Sequence, residues 1–444
     1  MSSIKRIICL ILCVFLLFGM VGCVNRDNLE NDDFLAPPKP SGEMLYIKET
    51  LEESVTGKFT LKYPTDGEYR SAYVMCDLMG SGKDNFALAF YSTMDEENLT
   101  SMHLALMKKV DDVWIFISDV SVSAIGIEKL DIVDLNGDGV KEIVVGWNVY
   151  SGTSKSLMVY TLKGLSLIPV IQENYSSFIC FDVAQWEKKA LFVLSHNMSE
   201  GVASAKLYGF DGEKAVDKGS CLLDGQVTSF YPPVVSKLSS GETAIFLDAA
   251  KGTGTQTEVV FIKNGVLTRA NFENEEEHTL STHRNMSVLC TDINGDGKYD
   301  IPVGDMSLVF HPEEYEETSA TMIRWSSFNG KTFDMTTYAA MNYTDGYYIE
   351  IPVRWFGKVT VDAFVENRTY TVSIWDTENN VKLGELLKVR TVTKSEWDTE
   401  NNGLGNYFEV ARTETLVYIA TLGGFNGTEK LSKTEAKKIV HIIN

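Results

Sequence analysis

Two short polar segments of similar composition, each set between runs of β-branched residues, limit what this chain can fold into. The first reads DIVDLNGDGVKEIVVGW at positions 131–147, and the second reads CTDINGDGKYDIPVG at positions 290–304. Acidic and amide residues mixed with glycine are typical of tight turns, and flanks rich in Val and Ile are typical of strands. Each segment therefore predicts a turn between two strands that brings several side-chain oxygens close to one point.

Weaker copies of the same segment indicate a repeat protein. They read VMCDLMGSGKDNFALAFY around Asp77, ICFDVAQWEKKALFVLS around Asp182, and VVSKLSSGETAIFLDAA with Ser236 in the place of the aspartate. Two more strand patterns follow each copy, so four strands recur in every period of about 50 residues, as in a β-propeller blade. The predicted fold is mainly β, with a β-propeller of about five four-stranded blades over residues 59–343. Six or seven blades are allowed if a divergent copy escapes the pattern, and residues 59–63 are expected to close the ring.

On these segments, the chain from about 59 to 343 resembles the FG-GAP or VCBS repeat proteins, the propeller class that includes the head of the integrin α subunit. In that family a loop of the form D-x-[DN]-x-D-G-x-x-[DE] joins the first two strands of a blade and binds calcium. The segments that begin at Asp134 and Asp292 match this loop fully. The other three copies match it only in spacing and hydrophobic pattern.

Calcium prefers six to eight oxygen ligands, and a nine-residue turn can supply them from alternate positions. The predicted metal ligands use side-chain oxygens at positions one, three, five and nine of each loop, and a backbone carbonyl oxygen at position seven. They are Asp134, Asn136, Asp138, Val140 and Glu142 in one loop, and Asp292, Asn294, Asp296, Lys298 and Asp300 in the other. An EF-hand would need glutamate at its twelfth position, where Val145 and Val303 stand. The competing interpretation is a pair of metal-free turns in which Asp and Asn bond to the backbone.

The sequence predicts about two calcium ions per chain, because only two loops keep their acidic residues. The expected role is structural rather than direct coordination of a ligand, since an ion would neutralise carboxylates crowded into one turn. Met79 and Ser81 replace ligands in the first copy, and Ser236 with Ser240 leaves the fourth copy without a carboxylate. Those copies are expected to hold their shape without metal.

The nine-residue Asp-Gly loop does not recur in residues 344–444. These residues are predicted to form a separate C-terminal α+β domain. Ser432 and Glu435 have the spacing of a capping box ahead of a short helix. The hexapeptide WDTENN occurs at 375–380 and again at 397–402. Two similar hairpin turns are the expected explanation, and a paired binding rim is the alternative.

Residues 1–22 have the pattern of a lipoprotein signal peptide. Two basic residues precede an apolar run at 7–18, which is too short to span a bilayer, where about 20 residues are needed. Cys23 follows GMVG, which resembles the lipobox of bacterial lipoproteins, where the mature chain begins at a lipid-modified cysteine. Residues 23–43 are predicted to be a disordered tether and 44–58 a short helix behind Ser41. We expect a chain that is lipid-anchored to the outer face of a bacterial cell membrane; an uncleaved N-terminal anchor is the alternative.

The chain is strongly acidic, with a net charge of −21 that becomes −23 once Lys5 and Arg6 leave with the signal peptide. Such a chain repels nucleic acid and anionic lipid headgroups, so a nucleic-acid partner is excluded. Outside the signal peptide and Cys23, four cysteines remain and are expected to be free core thiols rather than disulfides. They are Cys76, Cys180, Cys221 and Cys290.

The sequence favours a binding protein over an enzyme. Its six histidines are scattered and none belongs to an H-E-x-x-H helix. No catalytic residue is predicted, and no cofactor other than calcium. The favoured function is a cell-surface lipoprotein whose calcium-stabilised propeller binds an unidentified protein or glycan through loops at one rim. The alternative is an extracellular hydrolase or lyase acting on envelope or environmental polysaccharide.

Overall fold

Antiparallel strands make up most of the fold. The computed structural model describes residues 42–94, 99–149, 155–183, 186, 188–271, 282–303, 308–310, 319–399 and 404–443. Within these ranges the chain forms 28 strands but only three α-helices. The predicted mainly β class is confirmed.

The first nine strands form two sheets in chain order. Sheet 1 contains β1 (Phe59–Leu61), β2 (Tyr73–Cys76), β3 (Phe86–Met94), β4 (Thr100–Val110) and β5 (Val113–Val122). Sheet 2 contains β6 (Gly126–Val133), β7 (Glu142–Asn148), β8 (Lys155–Lys163) and β9 (Ser166–Tyr175). Neighbouring strands pair antiparallel, and β1 and β2 share one edge of β3.

Three further sheets repeat this arrangement. Sheet 3 contains β10 (Ser177–Val183), β11 (Lys188–Asn197), β12 (Val202–Asp211) and β13 (Lys214–Leu223). Sheet 4 contains β14 (Ser229–Phe230), β15 (Val234–Lys237), β16 (Thr243–Lys251), β17 (Gly254–Lys263) and β18 (Val266–Arg269). Sheet 5 contains β19 (Ile301–Val303), β20 (Thr321–Phe328), β21 (Phe333–Asn342), β22 (Tyr347–Glu350) and β28 (Val440–Ile442).

The rest of the C-terminal region forms sheet 6 and the short helices. Sheet 6 contains β23 (Val359–Phe364), β24 (Thr369–Asp376), β25 (Val381–Thr393), β27 (Leu416–Leu422) and β26 (Phe408–Arg412), in that spatial order. The α-helices are α1 (Glu43–Ser54), α2 (Lys394–Asp398) and α3 (Lys433–Ile439), and the 3₁₀ turns are Val353–Trp355 and Val365–Asn367.

Successive sheets pack face to face through the alternating side chains of their strands. In β3, Leu88 and Phe90 pack toward sheet 2, whereas Ala89 and Tyr91 belong to a cluster with helix α1. Similar buried clusters lie between sheets 2 and 3, 3 and 4, 4 and 5, and 5 and 6. A series of four- and five-stranded antiparallel sheets that stack in chain order resembles the blade arrangement of a β-propeller.

Helix α1 covers the outer face of sheet 1 with Ile47 and Leu51, which are fully buried. The helix predicted at 44–58 thus forms, but it begins one residue earlier and ends four residues earlier than predicted. The predicted N-cap, Ser41, lies outside the described residues, and Gly42 occupies the cap position.

The expectation that residues 59–63 close the ring is wrong. Phe59 pairs with Thr93 and Leu61 pairs with Tyr91, so β1 belongs to sheet 1. The physical reason is that β2 covers only the first half of this edge of β3, and β1 satisfies the remaining backbone groups.

The predicted boundary between residues 343 and 344 falls in the turn that joins β21 to β22. Strand β22 pairs with β21 and β28 pairs with β22, so C-terminal residues extend sheet 5. A separate C-terminal domain therefore stays a prediction. The capping box is confirmed, because the Ser432 and Glu435 side chains bond reciprocally to the backbone at the start of α3.

The four cysteines predicted to be free are confirmed as free thiols. Burial raises the pKa of Cys76 to about 12 and that of Cys221 to about 11, so these thiols are protonated at neutral pH. No helix within the described ranges is long and apolar enough to cross a membrane. The predicted signal peptide and Cys23 lie outside those ranges.

Candidate functional site

The loop from Asp134 to Glu142 joins β6 to β7 and is organised by its own polar side chains. Asp134 accepts the backbone N–H groups of Gly137 at 2.7 Å and Gly139 at 2.9 Å. Both glycines have positive φ, which side chains other than glycine adopt at a cost. The Asp138 carboxylate accepts the backbone N–H of Val140 at 2.7 Å. These bonds fold the loop around its own acidic residues.

The ninth residue of this loop, Glu142, is a buried carboxylate with 1% of its surface exposed. It accepts the backbone N–H of Leu135 at 2.8 Å. The Nδ2 group of Asn136 stands between two acids, 3.0 Å from Asp138 Oδ2 and 3.3 Å from Glu142 Oε1. Burial, together with the charges of Asp138 and Asp134, raises the pKa of Glu142 to about 7. The two carboxylates thus converge on a single donor group.

The loop from Asp292 to Asp300, which precedes β19, repeats two of these contacts at the same loop positions. Asp292 Oδ2 accepts the N–H of Gly297 at 2.8 Å, and Asp296 Oδ1 accepts the N–H of Lys298 at 2.9 Å. Asp300 is 2% exposed, and burial raises its pKa to about 6. Its Oδ1 accepts the hydroxyl of Thr336 at 2.9 Å. The two full copies of the motif therefore share the bonds to their sixth and seventh residues and a buried carboxylate at the ninth.

The residue types of the two loops fit calcium, although their carboxylates are not drawn together around one point. Calcium takes carboxylate, amide and carbonyl oxygens, and each loop holds these at alternate positions. Neither Glu142 nor Asp300 forms an ion pair with a basic residue in the described part of the chain. The same part contains no group of three or more His, Cys, Asp or Glu side chains placed to hold a metal ion. The bonds to the backbone are those of the metal-free alternative, so calcium stays a prediction.

The loops of neighbouring sheets touch one another. The first copy folds in the same way, since Asp77 Oδ2 accepts the N–H of Gly82 at 2.6 Å. The backbone N–H of Lys141 reaches the carbonyl oxygen of Leu78 at 2.8 Å. Between sheets 5 and 4, the backbone N–H of Tyr299 donates a hydrogen bond to Ser236 Oγ at 3.1 Å. The Asp loops therefore line one edge of the stacked sheets, which we call the Asp-loop rim.

A polar cavity of about 620 Å³ lies at the opposite edge, between sheets 2 and 3. Lys155 at the start of β8 pairs with Tyr175 at the end of β9, and both are at the far end of sheet 2 from the Asp loop. The lining residues carry mainly amide and hydroxyl groups and a single imidazole; they are Lys155, Asn174, Tyr175, Ser176, Ser195, His196, Asn197, Met198 and Ser199. We call this the rim cavity.

The floor of the rim cavity is held by hydrogen bonds. Glu128 accepts both Lys155 Nζ and the Tyr175 hydroxyl. The Ser176 hydroxyl accepts the backbone N–H of His196 at 2.9 Å and donates to its carbonyl oxygen at 3.2 Å. A Cβ at Gly146 would collide with the Tyr175 hydroxyl, so glycine is required beneath this ring. The cavity is preformed and suits a ligand that has many hydroxyl groups.

A hydroxyl, an imidazole and a carboxylate lie in line on sheet 1. Thr93 Oγ1 is 2.8 Å from His103 Nε2, and His103 Nδ1 is 3.0 Å from Asp119 Oδ2. Tyr91 donates to the same carboxylate at 2.5 Å and stacks on the imidazole with ring centroids 4.5 Å apart. With Nδ1 protonated, this order of groups can pass a proton from the hydroxyl to the imidazole. No sequence motif indicates this line of groups, because strand register alone brings these residues together.

The two copies of WDTENN do not form equivalent turns over their described residues. In the first copy, Asp376 accepts the N–H groups of Glu378 at 2.9 Å and Asn379 at 3.1 Å in the turn between β24 and β25. In the second copy, Trp397 and Asp398 belong to helix α2. Residues 400–402 lie outside the described ranges, so the paired rim stays untested.

Comparisons with known proteins give low similarities. No protein-family model matches the chain, and no curated protein does. An exotype rhamnogalacturonan lyase, YesX, is 13% identical with a TM-score of 0.30, covering 73% of this chain and 83% of that one. A rhamnogalacturonan lyase from Bacillus licheniformis is 12% identical with a TM-score of 0.30, covering 84% and 92%. The β-propeller domain of the Trilobed protease from Pyrococcus furiosus is 9% identical with a TM-score of 0.26, covering 66% and 80%. At these TM-scores the similarities carry no argument about activity.

Proposed function

We propose that this chain is a cell-surface lipoprotein whose propeller, of the FG-GAP or VCBS type, is stabilised by calcium and binds a glycan or protein at the rim opposite the Asp loops. The rim cavity is the observation that carries the proposal. It is large enough for a small ligand or for a side chain or sugar that protrudes from a larger one. Its polar lining is held in place before any ligand binds. Metal and ligand would then occupy opposite rims, which agrees with a structural role for the metal.

Calcium would be held by the two loops that keep their acids. The candidate ligands are the side chains of Asp134, Asn136, Asp138 and Glu142 with the carbonyl of Val140, and those of Asp292, Asn294, Asp296 and Asp300 with the carbonyl of Lys298. A bound ion would supply positive charge to carboxylates that form no ion pair with any basic residue in the described part of the chain. Burial of Glu142 and Asp300 supports the proposal, because an uncompensated buried carboxylate is costly. The proposed result is a more rigid connection between β6 and β7 in sheet 2 and a more rigid entry into β19 in sheet 5.

Ligand binding at the rim cavity is tested with a panel of oligosaccharides and with envelope proteins, measured by isothermal titration against the purified full chain. The informative variant is Asn174→Ala with Ser195→Ala, which removes two polar lining groups and leaves the Glu128 contacts intact. We expect affinity to fall by about tenfold or more, because each lost hydrogen bond costs about 0.5–1.5 kcal/mol.

The matched control is Ser220→Ala, which removes an exposed hydroxyl of β13 that is not part of the cavity lining. It should bind as the unaltered chain does. If a ligand binds the double variant and the unaltered chain equally well, the rim cavity is not its site.

The proposed location is the outer face of a bacterial cell membrane, with lipid on Cys23. Cys23 and its lipobox carry this part of the proposal, and residues 23–43 would serve as the tether. A membrane partner through the lipid and a glycan or protein partner through the propeller are thus separate interactions.

The alternative, an extracellular hydrolase, is favoured by one observation, the line of Thr93, His103 and Asp119. In this line the hydroxyl is hydrogen-bonded to the imidazole, and the imidazole is hydrogen-bonded to the carboxylate. Such an arrangement activates a nucleophile for acyl transfer. The corresponding reaction is hydrolysis of ester groups on a polysaccharide. Release of acetate from acetylated polysaccharide tests it: His103→Ala and Thr93→Val should abolish turnover, whereas Thr93→Ser should retain it. Absence of turnover in the unaltered chain leaves the binding function as the better account.

A further inference from the structure

Sheet 6 has a polar groove on the face that points away from sheet 5. Along β24, Val372 and Ile374 pack into the core shared with sheet 5. The alternating residues Thr369, Thr371 and Ser373 therefore point to the opposite face. They line a cavity of about 570 Å³ that shares no lining residue with the rim cavity. This second cavity is called the sheet-6 groove.

Two polar groups of the sheet-6 groove are buried without a hydrogen-bond partner among the described residues. Thr371 is only 4% exposed, and its hydroxyl has no hydrogen-bond partner in the described structure. The Nε of Arg390, which also lines the groove, is buried without a hydrogen bond. Buried polar groups that remain unpaired cost stability, so the presence of two of them in the lining of one cavity indicates an external partner.

The other charges of the groove have partners inside the protein. Lys382 Nζ lies 2.9 Å from both carboxylate oxygens of Asp362. Lys388 Nζ lies 3.0 Å from Glu385 Oε1. Within the described ranges, Arg390 has no carboxylate at ion-pair distance.

Arg390 acts electrostatically on Glu396 and helps to lower its pKa, but that carboxylate already accepts the backbone N–H and the hydroxyl of Thr393, both at 2.7 Å. Among the described lining residues, the guanidinium of Arg390 is therefore the positive charge that remains for a ligand. A free cation at this position contrasts with the chain as a whole, whose net charge of −21 repels anions in general.

We propose that the sheet-6 groove binds a carboxylated saccharide, with its carboxylate on Arg390 and its hydroxyl groups on Thr371 and the neighbouring strand hydroxyls. A planar guanidinium matches a carboxylate through two parallel hydrogen bonds. Phe364, which is 41% exposed at the groove, offers a surface for the apolar face of a sugar ring. A simple anion such as phosphate would fill little of the cavity and would leave the strand hydroxyls unused.

The test is isothermal titration of the purified full chain with trigalacturonate, with neutral galactotriose and with inorganic phosphate. Trigalacturonate should bind, and the neutral sugar and phosphate should bind about tenfold more weakly or worse. Arg390→Gln should weaken trigalacturonate binding by about tenfold, because it removes the charge but keeps hydrogen-bonding groups. Thr371→Val, which preserves shape, should weaken it by roughly threefold or more.

The matched control is Arg354→Gln, which removes a C-terminal arginine engaged with Glu435 at 3.0 Å and should leave binding unchanged. The rim-cavity variant Asn174→Ala with Ser195→Ala should also leave it unchanged, so this proposal and the proposed function can fail separately. Equal binding of neutral and acidic sugars, or full affinity in a folded Arg390→Gln variant, would overturn the proposal. Phosphate or an acidic peptide binding more tightly than trigalacturonate would overturn it as well.

Discussion

The backbone N–H of Lys141 bonds to the carbonyl oxygen of Leu78 at 2.8 Å, and this bond joins the Asp loop of sheet 2 to the corresponding loop of sheet 1. The same contact brings Gly80 against Gly139, where a Cβ on Gly80 would lie 2.5 Å from the Gly139 carbonyl oxygen. Close approach of two backbones thus connects neighbouring blades at the Asp-loop rim.

Gly80→Ala should therefore destabilise the protein by more than loop strain alone. Gly82→Ala is the matched control, because Gly82 also has positive φ, but a Cβ added there would meet no other atom within 4 Å. Both variants carry the cost of left-handed backbone, and only Gly80→Ala adds overpacking, worth about 1–3 kcal/mol. Urea unfolding measures the difference. Equal free energies of unfolding for the two variants would mean that the contact between the loops is not close.

A buried ion pair should stabilise the connection between sheet 4 and the segment before the second Asp loop. Arg284 and Asp248 lie 3.0 Å apart with 5% and 6% of their surfaces exposed, and the Asp248 carboxylate also accepts the N–H of Cys290 at 2.7 Å. Asp248→Asn leaves the guanidinium without its counter-charge and should cost about 3–5 kcal/mol.

The control for this variant is Glu52→Gln, which breaks the exposed pair with Lys48 and should cost about 0.5 kcal/mol or less. Denaturant unfolding compares the two. A loss below about 1 kcal/mol for Asp248→Asn would show that the pair is replaced by other contacts.

The sequence predicted the strand pattern and the turns of the Asp loops because both depend on local spacing. Asp134 bonds to residues three and five positions later, a relation visible in the motif itself. Partner choice between strands is not local, which is why the ring-closing role given to residues 59–63 was wrong.

The same limit applies to the sites that the sequence did not indicate. Thr93, His103 and Asp119 come together through the register of β3, β4 and β5, and none of them belongs to a motif. Thr371 lies beside Lys388 and Thr369 beside Arg390 only once β24 and β25 have paired. Such constellations depend on tertiary pairing that a single sequence does not encode in any short pattern.

Lipid attachment at Cys23 predicts that Cys23→Ala leaves the chain unprocessed or wrongly located, because the lipid is the strong membrane attachment that the sequence offers. Mass spectrometry of the mature N-terminus should find a lipid-modified Cys23 in the unaltered chain. Cys221→Ser is a suitable control, since it changes a thiol in β13 and should not alter anchoring. An unmodified Cys23, or a mature chain that begins elsewhere, would contradict the lipoprotein assignment.

Thermal unfolding with and without calcium tests the central claim most directly. If calcium binds the folded loops and not the unfolded chain, each site should add about 2.7 kcal/mol at a calcium concentration of 100 times Kd. Asp138→Asn with Asp296→Asn should abolish this response, whereas Asp77→Asn should lower stability equally with and without calcium. Metal analysis should find about two calcium ions per chain, since two loops keep a full set of ligands. A melting curve that a chelator leaves unchanged, with no calcium in the purified protein, would mean that both loops are metal-free turns.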